Sequence, residues 1–365
     1  MKRIIGLDLA RGLAIFLAMS SHTLSSLNYD APIYVNLLFR TATPLFIVVF
    51  GFFLHCIYLR KLHEIGFQFV KKKLWTRAIQ CFVLHSISCI VLAYFSQFSL
   101  VYTLRMILFM GATPFTDILK YYTLILLLAP YLLLFISRYG LKHALWLSCL
   151  PHLLSYFSLL KPILILPYDE IVTAMLYGGG DVIAGPSIIH SFIFILFGFY
   201  LSIKMQSEHS FTSLIGSKGD RSILWLALFL ALSLLTLLIT GNVTGEMLSN
   251  MSLRNSNAYP YFIFGCLFSF VMIECCLMIS NKVRRYYLQP LLLFGTSSLI
   301  LFSFGNWFLY AIAEVFSFSF LSYVLILSFF SLICYMNLYL NKIKSQRFQR
   351  LFYYVSIGYV KFVIK

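Results

Sequence analysis

Two ionisable side chains stand out in the first apolar stretch, Arg11 near its start and His22 towards its end. They are eleven residues apart, so on an α-helix they lie about 20° from full register and about 16 Å apart along the axis. One helix face would then carry a cation that suits phosphate and an imidazole that can accept a proton. Such a face could bind a phosphate-bearing donor at one end and let it react at the other. The structural alternatives are a topology anchor for Arg11 and a hydrogen-bonded core histidine for His22.

Two further charged residues, Arg40 and Glu274, fall within apolar runs. A charge inside a membrane span costs roughly 2.5 to 3.5 kcal/mol on insertion scales, so each one calls for a partner or a role. Counting along the spans puts Arg40 near the depth of His22, where it could stabilise an oxyanion, bind an acidic acceptor or anchor the interface. For Glu274 we expect a protonated or paired carboxyl, which would serve another helix or a substrate pathway.

The elements that must position these side chains are membrane spans. The chain of 365 residues is 61% hydrophobic and only 11% charged, which leaves too few polar residues to cover a soluble globule. The net charge of +16 lies in short clusters between apolar runs, so we expect lipid partners and no nucleic acid. The sequence predicts an all-α integral membrane protein, a bundle of about ten transmembrane helices.

Hydropathy places these ten spans throughout the first 340 residues. The segment 101–111 is too short to cross and carries Arg105, so we expect it to be re-entrant or interfacial. The predicted spans lie near residues 9–28, 34–59, 78–97, 119–138, 143–163, 187–204, 222–240, 259–280, 288–312 and 316–340.

The distribution of cations predicts the orientation of these spans. With the N-terminus inside, 23 of the 28 Lys and Arg residues fall on the cytoplasmic side. The exceptions are Arg40, Arg105, Lys120, Lys161 and Arg254. We therefore expect both termini in the cytoplasm, one membrane domain over 1–340, and a basic, aromatic interfacial tail over 341–365.

The cysteines and the remaining buried histidines give no metal site. The eight cysteines fall inside apolar runs without the paired spacing of a zinc site, so we expect no bound metal and no disulfide. His85, His152 and His190 each stand alone, and we interpret them as hydrogen-bonded core histidines.

Three segments resemble motifs of the acyltransferase-3 superfamily of integral membrane enzymes. The first combines Asp8, the pair Arg11-Gly12, and a His with ten residues between it and that Arg. About ten helices with an inward N-terminus would also match the layout of the family. The three segments are residues 5–15 running on to His22, residues 40–52, and residues 294–300.

The resemblance implies transfer of an acyl group, taken here as acetyl, from cytoplasmic acyl-CoA to a hydroxyl of an envelope glycan or lipid-linked sugar. By that analogy His22 is the catalytic imidazole, as a general base or as an acylated nucleophile, and Arg11 is a donor-side or architectural residue. Acyl-CoA would be a substrate, so we expect no permanently bound cofactor. The relatives that modify envelope glycans imply a bacterial inner membrane.

Two positions depart from the family pattern. Many members carry two arginines three residues apart at the start of the third helix, whereas this chain has Lys73 and Arg77 four apart. We expect these two cations to hold CoA phosphates, or else to act as a topology signal. Asn306 stands where many relatives have a His, and it can exchange hydrogen bonds on the substrate or oxyanion side but cannot be a base.

A second function remains open from the residues alone. A transporter or flippase of a polar lipid or solute would also explain ionisable residues in the membrane, with Glu274, Arg40 and His22 lining its path. It would leave the family-like segments unexplained, and a purely structural scaffold would leave the buried ions without a role. Binding of acyl-CoA distinguishes the enzyme from both.

Overall fold

The computed structural model describes residues 4–26, 30–157, 170–177, 187–206 and 222–315. Within these ranges the regular elements are helices, sixteen α-helices and one π-helical segment at Leu54–Leu59. The α-helices are α1 (Ile5–Ser26), α2 (Ile33–Arg40), α3 (Ala42–Phe53), α4 (Arg60–Glu64), α5 (Phe67–Phe95), α6 (Leu100–Ile107), α7 (Asp117–Tyr139), α8 (Leu141–Tyr156), α9 (Glu170–Leu176), α10 (Ile188–Met205), α11 (Ser222–Ile239), α12 (Gly245–Ser249), α13 (Ser252–Asn255), α14 (Tyr259–Lys282), α15 (Arg285–Thr296) and α16 (Ser298–Val315).

Six of the described helical segments are long and apolar enough to cross a membrane. They coincide with six predicted spans, which confirms an all-helical membrane protein. α1 lies where the first span is predicted, but its polar side chains make it less apolar than these six. The full count of ten and the cytoplasmic termini stay predictions, and the last span, near 316–340, and the tail 341–365 lie outside the described residues. The six segments are Ile33–Glu64, Phe67–Phe95, Asp117–Tyr139, Ile188–Met205, Ser222–Ile239 and Tyr259–Lys282.

The predicted span near 288–312 is broken in the structure. α15 and α16 meet at Ser297 with a bend of 73°, so the pair is a broken span or a re-entrant segment. The break falls in a run of three hydroxyl residues, Thr296 to Ser298. Hydroxyl side chains can satisfy backbone groups that a broken helix frees within a membrane protein. The segment 101–111, expected to be too short for a span, overlaps the eight-residue helix α6, which begins one residue earlier.

α1 sits inside the bundle and packs against α3, α14, α15 and α16. Its crossing with α15 depends on two glycines that face each other. A Cβ atom on Gly12 would lie 2.0 Å from the carbonyl oxygen of Leu291, and one on Gly295 would lie 1.8 Å from that of Asp8. Because no side chain fits in either gap, the two backbones approach as closely as small residues allow in membrane helices.

Two further helix pairs, α3 with α10 and α5 with α16, are held together by a glycine contact and by a hydrogen bond. Gly51 on α3 and Gly198 on α10 meet the backbone of the opposite helix, since an added Cβ would lie 2.0 Å from the Ile195 oxygen and 1.9 Å from the Val48 oxygen. On the other side, the indole nitrogen of Trp307 on α16 donates to the Ser88 hydroxyl of α5 at 2.6 Å. α3, α5 and α16 are thereby fixed around one face of α1.

Candidate active site

A cavity of about 1570 Å³ lies along α1. Drug-sized ligands occupy pockets of roughly 300 to 1,000 Å³, so this one has room for two reactants together. The α1 residues that line it recur every three or four positions, which is the spacing of one helix face. Arg11 and His22 therefore share a face as their spacing predicts, and that face looks into the cavity. This wall consists of Ile4, just before α1, and the α1 residues Asp8, Arg11, Ile15, Ala18, Ser21, His22 and Ser25.

The two ends of the cavity carry different charges. Arg60, Lys61 and Arg77 line one end. Arg11 belongs to that end, because its charge and that of Arg77 both act on the hydroxyl of Tyr58. The charges that act on His22 at the other end are those of Arg254, Arg40 and Asp117. A ligand that spans the cavity would run from a strongly cationic end to the imidazole.

A hydrogen bond to Asn306 fixes the imidazole of His22. Nδ1 of His22 lies 2.9 Å from Oδ1 of Asn306, whose amide nitrogen donates to the Phe302 carbonyl at 2.9 Å. An amide oxygen can only accept, so Nδ1 carries the proton and Nε2 keeps its lone pair. Nε2 has no hydrogen-bond partner among the described residues. The geometry thus presents a free basic nitrogen on a side chain that lines the cavity.

Two aromatic rings enclose the imidazole. The Phe115 ring lies 4.7 Å from that of His22 at an angle of 32°, and the Phe302 ring lies 5.6 Å away, edge-on. Phe115 has a φ of 67°, a left-handed conformation that a bulky residue rarely adopts. Such strain persists only where surrounding contacts hold it, and it is often found at functional sites. No sequence pattern indicated a role for Phe115, which lies in the loop before α7.

Arg11 connects the first family-like segment to the last. Its Nη2 donates to the Ser298 hydroxyl at 2.6 Å, and its Nη1 lies 3.9 Å from the Asp8 carboxylate, one helical turn away. The guanidinium also lies over the Phe53 ring, 5.7 Å from its centroid. Arg11 thus has a structural role, yet 30% of its side chain stays exposed and it lines the cavity.

The structure separates the two cations that were predicted to bind the acyl donor, Lys73 and Arg77. Arg77 lines the cavity, where its Nη1 donates to Oε1 of Gln80 at 3.0 Å. Lys73 is exposed on the same helix, 5.7 Å from the Phe69 ring centroid, and takes no part in the cavity wall. Arg60 and Lys61, rather than Lys73, join Arg77 at the cationic end of the cavity. Sequence reasoning treated those two as topology signals only.

The residues predicted for the substrate or oxyanion side also separate. Asn306 is fully buried behind His22, with both ends of its amide already bonded, which favours an orienting role. Arg40 donates from Nε to the Ser249 carbonyl at 2.7 Å and stands just outside the cavity wall. Glu274 on α14 is 1% exposed and lies away from the lining residues. These roles stay predictions.

Two charged residues that line the cavity at its His22 end were missed as site residues, Asp117 and Arg254. Asp117 accepts from Lys120 at 3.0 Å and from the Thr113 hydroxyl at 2.9 Å. The spacing of Asp117 and Lys120, three residues on a helix, could have indicated their ion pair. Arg254 belongs to the short helix α13, and no sequence periodicity places it.

The three other histidines singled out from the sequence, His85, His152 and His190, do not line this cavity. His85 is a core histidine as expected, because it is fully buried and its Nε2 lies 3.1 Å from the Met106 carbonyl oxygen. The expectation that His152 and His190 stand alone is wrong. Their rings lie 4.9 Å apart, and Nε2 of His152 is 3.1 Å from the His190 carbonyl oxygen. Residues 38 positions apart meet because α8 packs on α10.

Comparisons with known proteins agree with the motifs. A family model described as an acyltransferase domain matches residues 4–340 of the chain. That range includes every residue of the cavity wall. Neither the curated proteins nor the solved structures gave a significant match.

Proposed function

Since this chain belongs to the acyltransferase-3 family, we propose that it moves an acyl group from cytoplasmic acyl-CoA to a hydroxyl of a cell-envelope sugar. Acetyl is the proposed group, and a bacterial inner membrane the proposed location. The observation that carries the proposal is the free Nε2 of His22, which lines the same cavity as Arg11. The predicted separation of about 16 Å between the two along α1 suits a donor with a long flexible arm, such as CoA.

The imidazole supplies the proton transfer that the reaction needs. A sugar hydroxyl is a poor nucleophile until its proton is removed, and Nε2 of His22 can accept that proton. The oxygen then attacks the thioester carbonyl, the bond to sulfur breaks, and the leaving thiolate takes the proton back from the imidazolium. Asn306 keeps Nδ1 protonated throughout, in the way that a carboxylate or amide orients the histidine of a hydrolase triad.

The cationic end of the cavity supports binding of the donor. Arg11, Arg60, Lys61 and Arg77 concentrate positive charge there, and fixed cations attract phosphates through charge-assisted hydrogen bonds. Two acids of the cavity wall offset part of this charge, Glu64 through its contact of 2.6 Å with Arg60 and Asp8 at 3.9 Å from Arg11. The phosphates of CoA would bind here and leave the thioester to reach His22.

Purified protein tests this proposal through acyl-CoA binding and acyl transfer. His22→Ala should bind acyl-CoA like the wild type and lose roughly 10² to 10⁴ in transfer, the usual contribution of a positioned acid or base. His143→Ala is the matched control, because His143 is exposed and outside the cavity wall. A protein that binds no acyl-CoA at any concentration would contradict the proposal and favour a transporter.

A further inference from the structure

Arg254 is a half-buried cation whose guanidinium is only partly hydrogen-bonded. It lines the His22 end of the cavity from α13, and its Nε is buried without a hydrogen-bond partner among the described residues. Within the described residues its Nη1 has one hydrogen-bond partner, the sulfur of Met251 at 3.3 Å, and a thioether is a weak acceptor. A buried donor left unbonded costs about 1 to 3 kcal/mol, and more when charged. The site therefore lacks an acceptor for this guanidinium.

Arg40 places a second guanidinium beside the first. Its Nε donates to the Ser249 carbonyl at 2.7 Å, which ties α2 to the segment that carries Arg254. The charges of Arg40 and Arg254 act on each other and on the buried hydroxyl of Tyr261. That hydroxyl also has no hydrogen-bond partner within the described residues. The two guanidinium charges and the unbonded Tyr261 hydroxyl therefore lie close together.

No carboxylate in the described part of the chain compensates these arginines. The ion pairs found there are Asp8 with Arg11, Glu64 with Arg60 and Asp117 with Lys120. Asp117, the acid at this end of the cavity, is already taken by Lys120 and Thr113. Neighbouring cations destabilise each other when removed from water, so the arrangement calls for an anion from outside the chain.

We infer that Arg254, with Arg40 and Tyr261 beside it, binds a phosphate ester carried by the acceptor. A phosphate fits better than a single carboxylate because its charge and three oxygens can serve two guanidinium groups and a hydroxyl. The inference rests on the proposed function, since it assigns the His22 end of the cavity to the acceptor. Recognition of an anionic group there would hold the attached sugar near Nε2 of His22.

Binding of two phosphate probes to the purified full-length protein in neutral detergent tests the inference. Glucose 1-phosphate represents a soluble source of the phosphate and dodecyl phosphate a lipid-borne one, with glucose as the neutral comparison. The variants are Arg254→Gln, Arg254→Lys and the control Arg105→Gln. Arg105 is an exposed arginine that our orientation places on the same side, outside the cavity wall.

At least one probe should bind the wild type, more weakly as salt increases. Arg254→Gln should weaken that binding tenfold or more, and Arg254→Lys by less, because a lysine keeps the charge without the fork. Arg105→Gln should bind like the wild type, and glucose should not compete. Binding of dodecyl phosphate alone identifies a lipid-borne acceptor, and binding of glucose 1-phosphate a soluble one, and either supports the site.

Equal binding by wild type and Arg254→Gln, or an equal loss in Arg105→Gln, would overturn the inference. If Arg254→Gln does not fold, Arg254→Lys must still bind more weakly than the wild type at an unchanged melting temperature. Acyl-CoA binding and transfer are measured on the same preparations. Phosphate binding that depends on Arg254, in a protein that never transfers an acyl group, would remove the proposed function and leave the anion site.

Discussion

The hydrogen bond between His22 and Asn306 makes the role of Asn306 testable with two variants of similar shape. Asn306→Leu removes the acceptor that holds the Nδ1 proton of His22, whereas Asn306→Asp keeps an oxygen at that place. Both variants lose the donation from the amide nitrogen to the Phe302 carbonyl. The difference between them therefore isolates the bond to the imidazole.

The bond has the ordinary length of 2.9 Å, and Asn306 is fully buried. A hydrogen bond of this kind contributes about 0.5 to 1.5 kcal/mol net, which alone corresponds to a rate loss of roughly 2- to 13-fold. Without it the imidazole can also adopt the tautomer that protonates Nε2, and that form cannot act as the base. We therefore expect Asn306→Leu to lose about 10- to 100-fold in kcat, as when other orienting partners of histidines are removed. Asn306→Asp should lose far less.

The assay measures kcat and KM for acyl-CoA with purified variants, alongside melting temperature and membrane abundance. Because Asn306 stands behind His22 and away from the cationic end, KM for acyl-CoA should stay near the wild-type value. Rescue by Asp would separate an orienting role from a packing role, since both variants disturb the core. Full activity in Asn306→Leu, or equal losses of activity in both variants at normal abundance, would show that Asn306 does not orient the imidazole.

Three further predictions follow from the structure. Gly12→Ala should lower the melting temperature and membrane abundance, because its Cβ would lie 2.0 Å from the Leu291 oxygen, while Gly245→Ala, with its nearest neighbour at 3.4 Å, should be tolerated. Arg77→Gln should weaken acyl-CoA binding in a salt-sensitive way and Lys73→Gln should not, since of the two only Arg77 lines the cavity. Equal effects would show that both cations act through the overall positive potential of the protein surface and not through a contact in the cavity. Cysteine labelling should place residues 60–77 in the cytoplasm and residue 178 outside, and external labelling of 60–77 would reverse the orientation given to the cavity.

The sequence was sufficient for those features that depend on local periodicity. Arg11 and His22 share a helix face because eleven residues is close to three full turns, and α1 forms where its apolar stripe predicts. The six helical segments long and apolar enough to span a membrane lie where hydropathy places them. Lys73 shows the limit of such reasoning, since it lies one turn from Arg77 on one face of α5, yet the cavity ends before reaching it.

Contacts between distant segments could not be predicted from the periodicity of the sequence. The bonds of Arg11 to Ser298 and of His22 to Asn306 join residues 287 and 284 positions apart. Their positions depend on the crossing at Gly12 and Gly295 and on the break at Ser297, which tertiary packing determines. Arg254 enters the cavity from a four-residue helix with no repeating pattern. The family resemblance pointed to the two segments that meet, but not to the bonds between them.

Acylation of the envelope glycan in cells tests whether the imidazole of His22 is the base of the acyl transfer. Wild type and His22→Ala are compared at equal membrane abundance, with acyl groups on the glycan quantified by mass spectrometry. We expect an abundant His22→Ala protein whose glycan carries at most about 1% of the wild-type acylation, as loss of a positioned base implies. Full acylation by that variant would show that the imidazole takes no part in the reaction.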